Sequence, residues 1–437
     1  MTHRYSPDRG IRRTVVTGIG LISPLGIGTE ETWVGLSEGR SGIETIKAFD
    51  ASRLPVRIAG EVKGFVPEQY IRNRKTLKVL SRSDSLGMAA ATMAWQDAGL
   101  GECQFDGART GLYVACGKEP APADGLGEAV AACREANGDF NYRRLGESSV
   151  SLVSPLFFLE GLPITCLFYL SEMLGIYGPN LNLVGSGDAG AQAIGQAFRA
   201  IRRGEVDLAL AGGYDCCCDW WNLCKHAGLG STSRRNEDPS RACRPFDQTR
   251  DGTVLGEGAA FVVLEARSQA LQRRAPIYAE MVGYGAGCDA FNVIKPHPEG
   301  RGLAIALRAA LEDAGLEPAD IDYISAHGSG TVLGDRTETA GIKSALGSHA
   351  SRVPVSSIKS MIGDLGAAAG AIGFAAALLA LQSQLIPPTI NYQYPDPSCD
   401  LDTVPNKARK TALSVVIAVG RGQGGQNAVL IAKGPEV

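Results

Sequence analysis

Two well-separated stretches of the chain carry the same pattern of apolar and polar positions. MAAATMAWQDAGL, ending at Leu100, and LAIALRAALEDAGL, ending at Leu316, each place apolar residues along one helical face and close on Asp-Ala-Gly-Leu. Each predicts an amphipathic helix with a glycine, Gly99 or Gly315, at its C-cap. A short loop then leads to an apolar run ending in small residues, GLYVACG near 111–117 and DYISAHG near 322–328, which reads as a buried strand. A third element also recurs, a strand turning through glycine into a helix of very small residues. It reads LNLVGSGDAGAQAIGQAFRAI in the first half and VPVSSIKSMIGDLGAAAGAIGFAAALLAL in the second. Apolar strands alternating with helices imply mixed or parallel sheets covered on both faces. Helices this rich in Gly and Ala approach neighbouring backbone closely and fit between two sheets. The pattern therefore predicts a duplicated α/β fold, a five-layer α/β/α/β/α sandwich. Its halves are residues 1–270 and 271–437, with the seam near 265–278.

Leu365 to Leu381 is the longest uncharged apolar stretch. It is slightly short for a membrane span and rich in Gly and Ala, so it reads as a buried core helix. The segment TVVTGIGLISPLG imitates a signal peptide, but Gly18, Gly20 and Pro24 break any apolar helix there. A buried strand entering a glycine turn is expected instead, in a cytoplasmic protein with no membrane association.

Composition agrees with many tight turns: glycine supplies 55 of 437 residues, well above the usual share of about 7%. With 43 basic and 46 acidic residues, net charge -3 and no basic block, there is no footprint for nucleic acid. The 11 cysteines form no zinc-finger spacing. Adjacent Cys216, Cys217 and Cys218 point different ways and make a poor metal clamp, so reduced thiols and no metal are expected. GIGLISPLG lacks the GxGxxG spacing of a dinucleotide site.

Chemistry is expected at the two strand-to-helix turns, 185–190 and 363–366, where a helix N-terminus stabilises an anion or a thiolate. These turns belong to a larger set of motifs: VVTGIGLISPLG, the GPN at 178–180, AIGQAFRAIRRGEVDLALAGG, RPFDQTRDGTVLGEGAAFVVLE, AHGSGTVLGDRTE, SSIKSMIGDLGAAAG and GQGGQNAVLIA. In this order and spacing the chain resembles the β-ketoacyl synthases of the thiolase superfamily along nearly its whole length.

The resemblance implies a Cys nucleophile that holds the acyl chain and two His that drive decarboxylation and stabilise the enolate and oxyanion. The nucleophile position holds Gly187, which has no side chain. The first His matches His327; the second position holds Asp364, whose charge has the wrong sign for a developing oxyanion. Lys359 matches the family's lysine. Ser186 and Asp188 flank the gap but aim elsewhere, and Cys216–Cys218 come one element too late. At the gate of the acyl tunnel, where the family carries Phe, stands Gln423, with Arg421 two residues before it. Gly18, Gly20, Asp247, Arg250, Asp251, Glu257, Asp335, Glu338 and Asn427 match family motifs and read as turn formers and anchors of the fold. His226, His297 and His349 belong to no motif.

A fold kept while its chemistry is deleted resembles the chain-length factor, the silent subunit of a type II polyketide synthase. That resemblance implies a heterodimer with an active ketosynthase, formed through the strand at 181–184, with the growing chain in a tunnel across the interface. Phe157, Phe158, Leu162, Phe168 and Tyr169 are then the tunnel or interface candidates, and Glu160 within that apolar run needs a partner. The implied cofactor is the phosphopantetheine arm of a partner acyl carrier protein, none being bound covalently. Aromatic systems usually carry Gln where this chain has Gly187, which points to polyene-type systems. Two alternatives stay open: a malonyl-carrier-protein decarboxylase, and a homodimer that captures an acyl chain or carrier protein without chemistry.

Overall fold

The computed structural model describes residues 12–101, 103–117 and 123–435; the side chains of 123–125, 148–150 and 158 lie outside the described residues. In the first half the principal elements are β1 (Thr14–Ser23), α1 (Arg82–Asp97), β2 (Thr110–Cys116), α2 (Thr165–Leu174), β3 (Asn180–Val184), α3 (Ala189–Arg202), β4 (Leu208–Cys216), α4 (Trp220–Gly228) and β5 (Glu257–Ala266). The second half supplies β6 (Ala279–Cys288), α5 (Arg301–Ala314), β7 (Tyr323–Ser325), α6 (Val332–Leu346), β8 (Val355–Ser356), α7 (Ala369–Ser383), β9 (Val415–Arg421) and β10 (Gln426–Lys433).

Strand order is β3-β2-β4-β5-β1 in one arm and β8-β7-β9-β10-β6 in the other, the same order element for element. In each arm the first three strands run parallel and the remaining pairings are antiparallel. The arms meet where Thr14–Val16 of β1 pairs antiparallel with Ala279–Met281 of β6. The result is one eleven-stranded sheet, with Gly26–Ile27 as the extra strand beside β1.

Three apolar clusters separate the layers. Leu86, Trp95 and Phe261 belong to the cluster beneath α1, and Leu307, Ile324 and Ile431 to the one beneath α5 and α6. Phe198, Phe374 and Leu378 lie in the central cluster, where α3 and α7 pack between the arms. This is the expected five-layer sandwich. The segment Gly366–Ser383 is long and apolar enough to cross a membrane, yet its residues 369–381 are all buried between the sheets. A helix apolar all round is what a central layer requires.

Gly18 and Gly20 correct the reading of a glycine turn. Both lie inside β1, whose ten residues are all buried; the turn comes at Pro24–Leu25. A Cβ at either glycine would overlap the carbonyl oxygen of Ala94 or Ala90 of α1. Gly283 and Gly285 of β6 stand in the same relation to Ala310 and Ala306 of α5. Glycine is needed here because helix backbone lies directly on strand backbone, once in each half. Gly99 and Gly315, at φ 69° and 66°, do close their helices as expected.

Candidate functional site

The C-terminal ends of β3, β4, β7 and β9 converge on a cavity of about 330 Å³. Its lining includes Gly187, Asp215, Cys217, His226, His327, Asp364, Arg421 and Gln423. The structure therefore brings together Gly187, His327, Asp364 and Gln423, drawn from four separate stretches of sequence.

Gly187 sits in the turn from β3 to α3, facing His327. A Cβ there would lie 2.8 Å from His327 Cε1 and closer still to the carbonyl oxygen of Arg421. The chain has closed over the position. Ser186 accepts the Gln423 N–H on its Oγ at 2.8 Å, and Asp188 holds Gln192 through its carboxylate. Burial pushes the Asp188 carboxyl above its usual range.

His327 follows β7. Its backbone N–H and that of Gly328 donate to the two carboxylate oxygens of Glu338, at 2.8 and 2.7 Å. The ring Nδ1 accepts the Arg421 N–H at 3.3 Å and faces Lys359 Nζ at 3.3 Å. Burial, then the charges of Lys359 and Arg421, hold the imidazole pKa well below its usual value. The ring is neutral, and with Nδ1 accepting, the proton resides on Nε2.

Lys359 is 5% exposed, and its Nζ lies 4.0 Å from Asp364 Oδ1. That oxygen also accepts the Gly366 N–H at 3.2 Å. The aspartate therefore has a counter-ion and a backbone donor, and it faces the cavity.

Asp215, at the end of β4, is a site residue that motif reasoning missed. It is 6% exposed and accepts N–H groups from Ala367 at 2.8 Å and Cys216 at 2.9 Å. Burial pushes its carboxyl up to about 6. The sequence signal was an acid closing the small-residue strand LALAGGYD. His226 was also passed over; Gln423 Nε2 lies 3.5 Å from both its ring nitrogens across the mouth.

Cys217 is the thiol that lines the cavity, and burial with the negative charges of Asp215 and Asp364 raises its pKa far above normal. It supplies no thiolate at neutral pH. Cys216 and Cys218 do converge, correcting the reading that they point apart: residues two apart on extended chain share a face. Their sulfurs and a Glu257 oxygen lie within 4.8 Å of one another. The donor set does not suit a metal. Glu257 is held by Arg82 at 2.7 and 2.6 Å and by the Val62 N–H at 2.8 Å, Cys216 Sγ donates to it at 3.1 Å, and burial keeps Cys218 protonated.

The remaining motif residues form the frame. Asp247 accepts the N–H groups of Thr249, Gln393 and Tyr394, and Arg250 pairs with Asp335 and Asp396. Of the tunnel candidates, Phe157, Leu162 and Tyr169 are half-buried and Phe168 is 57% exposed; the Phe158 side chain lies outside the described residues. None of the four described side chains lines the cavity. Phe168 and Tyr169 pack edge to face, 5.2 Å between centroids, and Glu160 accepts the Ser154 hydroxyl at 3.0 Å.

The N-terminal domain of the β-ketoacyl synthases matches residues 12–270 and their C-terminal domain residues 278–393. The chain belongs to the β-ketoacyl synthase family. It is 37% identical over 424 residues to 3-oxoacyl-[acyl-carrier-protein] synthase 2 of Coxiella burnetii, covering 96% of this chain and 98% of that one. The ishigamide ketosynthase/chain length factor superposes with a TM-score of 0.87 at 34% identity, covering 98% and 100%. AntDE:AntF, a type II PKS acyl-carrier protein in complex with its ketosynthase bound to the hexaketide, gives 0.85 at 31% identity, again covering 98% and 100%. In this chain the cavity carries Gly187 at the β3–α3 turn and Asp364 beside Lys359.

Proposed function

We propose that this chain is the non-catalytic subunit of a type II polyketide synthase, a chain-length factor that pairs with an active ketosynthase and shapes the acyl tunnel. The observation that carries the reading is the space at Gly187, which lacks both a side chain and room for one. Losing a nucleophile alone removes several orders of magnitude in rate. Lys359, engaged with Asp364, further disfavours a malonyl-carrier-protein decarboxylase, which would keep both imidazoles.

The pairing surface is β3, the terminal strand of its arm. Its outer edge, unpaired among the described residues, is flanked by exposed apolar side chains, Val184 at 61% and Tyr177 at 78%. Unprotected apolar edges of this kind invite a partner strand. On this reading Phe157, Leu162, Phe168 and Tyr169 act on the tunnel through the interface, as would Phe158, whose side chain lies outside the described residues. The phosphopantetheine arm of an acyl carrier protein delivers the chain, in the cytoplasm. Gly187 in place of Gln favours a polyene-type product over an aromatic one. The chain divides into its two functional halves at 270/271.

Co-expression with an active type II ketosynthase, followed by native mass measurement and turnover of malonyl-carrier protein, tests the reading. A 1:1 heterodimer that condenses, beside an inert isolated chain, is the expected result. A self-sufficient homodimer releasing carbon dioxide would replace it with the decarboxylase. An inert homodimer that retains acyl-carrier protein would replace it with the capture module.

A further inference from the structure

Arg421 is a charged group in the cavity whose burial nothing described above explains. It is 8% exposed, at the end of β9. Its guanidinium donates to Asn427 Oδ1 at 3.1 Å, to the Gly334 carbonyl at 2.8 Å and to Thr337 Oγ1 at 3.1 Å. All three acceptors are neutral, and among the described residues no carboxylate pairs with it within 4.0 Å. The acids nearby are engaged elsewhere. Asp289 accepts the N–H groups of Gly302 and His297, Glu338 those of His327 and Gly328, and Asp364 faces Lys359.

A guanidinium has five N–H donors, so three engaged donors leave two. A buried cation with no counter-charge is costly, and an anion entering the cavity would offset that cost. Arg421, Asn427 and Gly334 all line the cavity, as does His327, whose Nε2–H has no acceptor among the described residues. The mouth is different in character. Leu229, Val293 and Ile294 line it and are 48%, 76% and 62% exposed. The rim also carries Lys225, His226 and Gln423, while the Arg421 guanidinium lies deep.

We infer that the cavity is an oxyanion-binding site, in which a carboxylate or phosphate group sits between the Arg421 guanidinium and His327 Nε2–H. The ligand enters with its anionic head leading. It is either a carboxylate-ended acyl group or a phosphate ester; both present the same compact oxyanion. The site belongs to this chain, whether alone or paired, and does not rest on the chain-length reading.

Titration calorimetry on the full chain, in the oligomeric form in which it purifies, tests the inference with three probes: malonate, inorganic phosphate and malonamide, the uncharged isostere. At least one anion binds, its affinity falls as salt rises, and malonamide binds at least tenfold more weakly than malonate when malonate is that anion. Malonate alone assigns a carboxylate; phosphate alone assigns a phosphate ester. Arg421→Gln weakens the binding anion by at least tenfold, about 1.4 kcal/mol. Binding of neither anion at millimolar concentration, malonamide binding as well as malonate, or an unaffected Arg421→Gln protein would each overturn the site. Should Arg421→Gln fail to fold, the probe comparison on the unaltered chain decides alone.

Discussion

On the proposed reading Gly187 stands at the nucleophile position, and replacing it by Cys is not expected to give condensation. The new Cβ would stand 2.8 Å from His327 Cε1 and closer to the Arg421 carbonyl oxygen, both nearer than a side-chain carbon tolerates. The second obstacle is backbone, anchored because the Arg421 N–H donates to His327 Nδ1 and its side chain is hydrogen-bonded to Asn427, Gly334 and Thr337. It cannot swing aside as a flexible side chain could. Overpacking of this kind costs about 1–3 kcal/mol. In a chain this long that lowers Tm by a few degrees, because the shift per kcal/mol shrinks with size. Gly187→Ala isolates the effect, since it adds the Cβ and no thiol. Both variants are expected to melt below the parent, and Gly187→Cys is expected to give no condensation product by mass spectrometry with acyl- and malonyl-carrier protein. Unchanged melting of Gly187→Ala would refute the crowding. Turnover by Gly187→Cys alone would refute the reading of Asp364 as a second lesion.

Asp215 gives a pH-dependent prediction. Its folded-state pKa, about 6, lies above the ordinary 3.8, so its contribution to stability is full below about pH 3.8 and is lost as pH rises through 6. Asp215→Asn should therefore gain on the parent between pH 4 and 7, by the order of 2–3 kcal/mol; parallel Tm profiles of the two proteins would contradict the cause assigned. Val184→Asp places a charge on the 61% exposed end of β3, and native mass spectrometry should show loss of the partner with circular dichroism unchanged. Phe168→Ala, at 57% exposure, should leave Tm within a degree or so yet alter product length in the assembled pair; identical product profiles would remove Phe168 from the tunnel wall.

Much of the fold was legible because its signals are local. The shared Asp-Ala-Gly-Leu closures, the capping glycines and the small-residue helices each announce an element within some twenty residues, and their repetition announces two arms. Family motifs single out Gly187, His327, Lys359 and Asp364, and the fold brings these four together. Other features escaped because they depend on what lies across a layer. Gly18 and Gly20 look like helix breakers in sequence, and only the helix resting on β1 reveals why they are glycine. Cys216 and Cys218 share a face with Glu257 because β4 pairs with β5, placing Cys216 opposite a residue 41 positions later.

The sequence by itself determined the duplicated sandwich and the identity of residue 187 as glycine, since periodicity, caps and residue identity are properties of the chain. Tertiary structure decided that the vacant position is closed by the Arg421 backbone, that Asp364 faces Lys359, and that Asp215 and His226 join the cavity. Those facts rest on distances between strand ends far apart in sequence, and such distances are set by sheet order and layer packing rather than by any local pattern.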